Sequence, residues 1–147
     1  MLDSWAASFE AAHGRSPDVW LDRVCLDVQR LEESLVALPV YLAGCRQLVV
    51  VLGPQFATRL WCAMELFVFF HMGGSAERCS ILPIGTWTAE QVRAVVSRFD
   101  ARKSQCSVEA DREYLLGVIE SAYGSVDAFN EVVRSLLAQT VSAQVGV

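Results

Sequence analysis

One carboxylate interrupts the most apolar stretch of the chain. Between residues 60 and 72, Glu65 and His71 are the only acidic or basic side chains. An unpaired carboxylate in a dry core costs several kcal/mol or takes up a proton. Glu65 is therefore expected to pair with an arginine at the rim of the core, to stay buried at that cost, or to face a ligand in a cleft.

The elements around Glu65 are predicted from turn and capping signals. A helix is expected over 58–72, with Thr58 as its N-cap and Gly73-Gly74 as its stop. Trp61 and Glu65 then share one stripe of this helix. The preceding run QLVVVLG, 47–53, lacks alternation, which is typical of a strand buried on both faces. In a parallel sheet, clefts form where such strands end, close to the start of the following helix.

The remaining pattern alternates strands with helices. Further strands are expected at 18–22 and 79–85, and helices at 2–13, 31–44, 89–97, 108–123 and 125–141. Pro39 should kink or restart the second of these helices, and TAEQ at 88–91 is a capping box. This order predicts a parallel α/β sheet with helices on both faces, in one domain spanning 1–147.

Composition excludes several classes of protein. The chain of 147 residues is 53% hydrophobic and 20% charged, so it can bury a core, and its net charge is −5. Its single lysine, Lys103, and its lack of a basic stripe disfavour binding to nucleic acid or anionic lipid. The apolar segment 35–52 is broken by Pro39 and Arg46, so no membrane span is predicted.

The spacing of the cysteines and the absence of known catalytic motifs both disfavour metal or nucleophilic chemistry. Five cysteines lie far apart with no CxxC pair, which supports neither a zinc site nor a disulfide framework and suits a reducing, cytoplasmic compartment. GxGxxG, GxxxxGK[ST], GxSxG and HExxH are all missing. Cys62, on an apolar helix, is expected to pack in the core.

Three segments together resemble the Toll/interleukin receptor (TIR) domain: VWLDRVCLD at 19–27, VVVLGPQFATRLWCAMEL at 49–66 and ILPI at 81–84. The most specific part is W-C-x-x-E-L after a buried strand. The resemblance implies a flavodoxin-like, three-layer parallel sheet with a helical C-terminal tail. It also implies an intracellular signalling domain whose partners are other TIR domains or further copies of itself.

In enzymatically active TIR domains, the glutamate of this helix cleaves the nicotinamide–ribose bond of NAD. The resemblance carries that catalytic role to Glu65, with NAD as substrate and no cofactor. A carboxylate beside the ribose would stabilise the developing oxocarbenium charge. The resemblance also places Trp61, Thr58 and Asp22 at the nucleotide site, with Trp61 packing below Glu65 and Asp22 entering the loop that mediates assembly.

Compared with the family pattern, a first central strand is missing before the helix at 2–13. Either the chain is a truncated, inactive TIR fragment, or its visible strands pair directly. Because that strand and its loop build one wall of the nucleotide pocket, a non-catalytic self-assembly module is the alternative to NAD cleavage.

Overall fold

Two short parallel strands and a set of helices form an α/β fold in the computed structural model, which describes residues 2–25, 30–53 and 55–145. The strands are β1 (Leu48–Leu52) and β2 (Cys79–Pro83). The helices are α1 (Leu2–His13), α2 (Asp22–Cys25), α3 (Leu31–Gly44), α4 (Leu60–His71), α5 (Ala89–Ser97), α6 (Glu109–Tyr123) and α7 (Val126–Val145). The prediction of an α/β fold with a parallel sheet is confirmed.

The register of the sheet gives it one closed face. Leu48 pairs with Cys79 and Leu52 pairs with Pro83, so alternate residues of both strands share a face. That face is closed by Val50, Leu52, Cys79 and Ile81, all buried. On the other face Val49 is only half-buried and Val51 is 37% exposed. The prediction that β1 is buried on both faces is therefore wrong, because the helices cover only one face completely.

The core lies between this closed face and the helices. Helix α7 packs against β2, α4, α5 and α6, and it contributes Phe129, Val133 and Leu137, each at most 1% exposed. Helix α3 packs against α4 and buries Leu38 and Leu42. Pro39 lies inside α3 without ending it. No helix in the described part of the chain has the length and apolarity needed to cross a membrane.

The expected strand at 18–22 does not form. Residues 16–21 have no regular structure, and α2 starts at Asp22. Val19 and Leu21 are 67% and 52% exposed, so an extended conformation here gains neither burial nor a neighbouring strand. A five-residue β-prone run has no intrinsic stability without such a partner. The loop predicted after it falls partly on residues 26–29, outside the described residues.

The segment that links α5 to α6 is anchored by side chains instead of by a sheet. Asn130, 1% exposed, accepts a hydrogen bond from the Ala101 amide at 2.8 Å and donates one to the Asp100 carboxylate at 3.0 Å. Arg134 donates to the Phe99 carbonyl at 2.8 Å. These contacts satisfy buried backbone groups that a strand would otherwise satisfy through its ladder.

Candidate functional site

Helix α4 carries two of the four predicted site residues, Trp61 and Glu65, and Thr58 lies just before its start. It is apolar all round because the core, α3 and α7 surround it. It ends at Gly73, whose φ of +92° favours glycine, and Gly74 donates to the Phe69 carbonyl at 2.9 Å. A Cβ on Gly74 would lie 2.4 Å from the Phe69 ring, so this stop admits no larger residue without movement.

Glu65 lies in the middle of α4 and is half-buried, with its Oε1 shielded from solvent. An oxygen in this position lies in an environment of low dielectric constant, where the electrostatic interactions that it makes are stronger than in water.

Trp61 precedes Glu65 by one helical turn and packs, half-buried, against the main core. That the ring packs below Glu65, as the resemblance implies, stays a prediction. Residues four apart on a helix are neighbours, so Trp61 lies on the same side of α4 as Glu65. Trp61 and Glu65 are thus brought together by the helix alone.

Thr58 does not cap α4, contrary to the prediction. The N-cap is Arg59, and the Thr58 hydroxyl donates to the Gln55 carbonyl at 2.8 Å within the 3-10 turn Phe56–Thr58. The prediction failed because this extra turn moves the start of the helix one residue further along the chain. The exposed Thr58 side chain therefore leaves the first amides of α4 to other partners.

One of those partners is Gln105, which no sequence signal pointed to. Its carbonyl accepts from the Leu60 amide at 3.3 Å, and its own amide donates to the Thr58 carbonyl at 2.6 Å. Together they form an isolated parallel bridge between Arg59 and Gln105. The start of α4 is thus fastened to the segment before α6.

Asp22 opens α2 and does not end a strand, because the strand at 18–22 is absent. Asp22 was expected to enter a loop, and it instead starts the short helix α2. The residues of the expected loop, 26–29, lie outside the described residues. Asp22 therefore belongs to a different element from Thr58, Trp61 and Glu65.

A pocket of about 190 Å³ lies at the opposite end of the sheet from the predicted site. Its lining residues are Phe9, His13, Arg46, Gln47, Glu77 and Arg78. Arg46 and Arg78 precede β1 and β2, so the pocket sits at the amino ends of the strands, whereas ligands of parallel sheets bind at the carboxyl ends. None of its lining residues is a predicted site residue.

Arg78 in this pocket is already engaged in holding the fold together. Its guanidinium donates to the carbonyls of Arg46 at 2.8 Å, Cys45 at 2.7 Å and Gly73 at 3.4 Å, and it lies 5.6 Å from the centre of the Phe69 ring. These carbonyls follow the ends of α3 and α4, where a cation also complements the helix dipoles. The pocket wall is therefore structural.

The thiols do not form a reactive centre. All five cysteines are free. Burial raises the pKa of Cys45 and Cys106, and raises the pKa of Cys79 to about 11. A nucleophilic cysteine needs the reverse shift. In the part of the chain that the structure describes, no group of His, Cys, Asp and Glu side chains could hold a metal ion.

Comparison of the chain with known protein families, curated proteins and solved structures finds no match. The family resemblance therefore depends on the motif residues themselves. Of these, Trp61, Cys62, Glu65 and Leu66 lie on one helix that directly links two parallel strands.

Proposed function

We propose that this chain is a TIR-like signalling module of the cytoplasm that works by associating with further copies of itself or with other TIR domains. On this proposal, β1 and β2 are neighbouring strands of a flavodoxin-like sheet, and α4 is the helix between them. The parallel pairing of β1 with β2 and the W-C-x-x-E-L motif on α4 support this assignment.

The observation that carries the proposal is apolar surface without a covering partner. The outward face of α3 presents Val36 and Val40, 79% and 73% exposed, one helical turn apart. The outward face of a surface helix normally carries polar or charged side chains. Clustered exposed apolar side chains on a folded protein mark surfaces of association.

The total surface agrees with this reading. The chain exposes 8753 Å², about 1,300 Å² more than the roughly 7,500 Å² expected for a compact monomer of 16.2 kDa. Residues 2–21, which include α1, contribute to the excess because none of them is fully buried. A stable interface buries about 800 Å² on each partner. The excess is therefore large enough for one interface.

Sedimentation velocity over a wide concentration range tests the proposal. The expected result is a sedimentation coefficient that rises with concentration toward that of a dimer or larger assembly. A coefficient that stays at the monomer value up to hundreds of micromolar, with no binding to TIR domains, would contradict it.

The second candidate function is cleavage of NAD between nicotinamide and ribose. The observation that favours it is the shielded carboxylate oxygen of Glu65 in the middle of α4, since an anion held away from water can stabilise an oxocarbenium ion on the ribose. The displaced nicotinamide leaves with the bonding electrons, and water or a hydroxyl of the same molecule then adds to the ribose.

Nicotinamide release from NAD by the purified chain, compared between wild type and Glu65→Gln, tests this candidate. The substitution keeps the shape of the side chain and removes its charge. Release by wild type that falls by at least ~100-fold in the variant is expected, as for loss of a principal electrostatic group. Equal rates, or no release by either protein, would exclude Glu65 as a catalyst.

A further inference from the structure

Strand β1 has an outer edge that no strand of the described residues occupies. The Ile84 amide donates to the Leu52 carbonyl at 2.9 Å, which fixes the ladder: Leu48, Val50 and Leu52 direct their backbone groups toward β2. The backbone groups of Val49 and Val51 consequently point the other way. Within residues 2–25, 30–53 and 55–145, no hydrogen bond reaches those outward groups.

This edge also lacks the devices that normally protect a strand. Native edges carry charges, prolines or bulges that prevent pairing with another chain. β1 reads LVVVL, with no charge and no proline, and it pairs with β2 without a bulge. β2, in contrast, ends in Pro83, which can donate no hydrogen bond and is suited to an outer position. The two strands therefore differ in how open their edges are to pairing.

We propose that a second copy of the chain pairs with this edge, strand β1 against strand β1 in antiparallel orientation around a two-fold axis at Val50. The inference rests on the proposed self-association and places it at the edge of β1, a different surface from the Val36 and Val40 face of α3. In this register Val49 lies opposite Val51 of the second copy, and the two residues exchange both of their N–H···O hydrogen bonds. The result is one continuous four-stranded sheet, β2-β1-β1-β2.

Three observations select a second copy as the occupant. A two-fold interface must be self-complementary, and an edge of valines without charge meets no repulsion from itself. The Val49 and Val51 side chains share the incompletely covered face, so pairing places apolar side chains of both copies against each other. The outer edge of β1 is regular, since β1 pairs with β2 without a bulge, so two copies of the strand can lie side by side over the same residues.

The first test is Val51→Lys in the full chain, followed by sedimentation velocity. A lysine on an edge strand blocks pairing, and Val51 is 37% exposed, so the monomer fold tolerates the change. The dimer dissociation constant should rise by at least ~10-fold. Val118→Lys is the matched control, since Val118 is 36% exposed on α6 and should change the constant less than twofold.

The second test detects the register and does not depend on the lysine variant. Chains carrying Val49→Cys and Val51→Cys are mixed in equal amounts and oxidised gently, and cross-linked peptides are identified by mass spectrometry. Residues of a hydrogen-bonded antiparallel pair have Cα atoms about 5.5 Å apart, which a disulfide spans. The 49–51 cross-link should form in the mixture in several-fold higher yield than the 49–49 or 51–51 cross-link that either variant can form alone.

The outcomes separate this inference from the function it rests on. Association that is unchanged in Val51→Lys, without the 49–51 cross-link, overturns the β1 interface while leaving self-association intact. A wild-type chain that is monomeric at every concentration overturns both. Rapid hydrogen exchange at the Val49 and Val51 amides in a sample shown to be dimeric also overturns the β1 interface, because some other surface then forms the dimer.

Discussion

Arg78 contributes to this molecule by joining elements, although an arginine near a pocket suggests a ligand. Its five N–H groups can reach several acceptors at once, and here they reach carbonyls that follow both α3 and α4. Helix ends leave such carbonyls without intrahelical partners. The side chain thus couples the C-terminal ends of α3 and α4.

Replacing Arg78 by alanine should lower the free energy of unfolding by about 1–2 kcal/mol, since charged hydrogen bonds are lost and three carbonyls are left to solvent. Urea denaturation followed by circular dichroism measures the change. Arg93→Ala is the control, because Arg93 is an exposed arginine of α5. A drop for Arg93→Ala as large as that for Arg78→Ala would contradict the coupling role.

Cys79 should be the slowest cysteine to react with iodoacetamide at pH 8. Its side chain is 2% exposed, and burial raises its pKa to about 11, so little thiolate is present. Exposed Cys25 should react first. Peptide mapping by mass spectrometry gives the order of labelling. In about 6 M denaturant, which unfolds most domains, the difference in labelling rate between Cys79 and Cys25 should vanish. Equal rates in the folded chain would show that Cys79 is accessible.

The raised pKa of Cys79 makes the free energy of unfolding fall as pH rises. The folded chain holds the Cys79 proton more tightly than the unfolded chain, so this contribution is complete below pH 9 and is lost as pH rises toward 11. Between pH 9 and 11, wild type should lose up to about 2 kcal/mol more unfolding free energy than Cys79→Ala. Parallel urea curves for the two proteins provide the measurement, and identical pH profiles would refute the assignment.

At the scale of elements, local signals were reliable where the sequence itself supplies the partner. The capping box opens α5 as predicted: the Gln91 amide donates to the Thr88 hydroxyl at 3.2 Å, and the Thr88 amide donates to the Gln91 side chain at 2.8 Å. The helix at 31–44 and both strands that pair with each other were also placed correctly.

Thr88→Ala should therefore destabilise the chain by about 1 kcal/mol, because the backbone amide of Gln91 in α5 loses its hydrogen-bond acceptor. Thr88→Ser, which keeps the hydroxyl, should cost much less. The midpoints of urea unfolding at a constant m-value distinguish the two. If both variants unfold at the same midpoint, the hydroxyl does not stabilise α5.

At the scale of the whole molecule, packing is unevenly distributed. Helix α7 packs against β2, α4, α5 and α6 and has fully buried side chains, whereas α1 has none. The free energy needed to open a segment follows its buried contacts. Amides of α1 should therefore exchange with solvent at least about a thousandfold faster than those in the middle of α7. Hydrogen exchange resolved by NMR measures this, and equal protection would contradict the uneven packing.

Only part of the geometry of the predicted site could be predicted from the sequence. Trp61 and Glu65 lie together because the helical repeat alone brings residues four apart onto one face. Thr58 was displaced from the cap by a 3-10 turn, and Gln105, which holds the helix start, is 45 residues from Leu60 along the chain. No local pattern marks a partner at that distance.

The sequence by itself determined the apolar character of β1, the parallel α/β order and most helix bounds, because these follow from periodicity, capping and turn residues within a few positions. Only the tertiary structure decided that 18–21 stays irregular, that one face of the sheet remains partly open and that, among the described residues, no strand lies beside the outer edge of β1. The physical reason is that a strand is stabilised by its neighbours. A chain segment carries its own propensity, but it does not specify whether another strand will be there to pair with it.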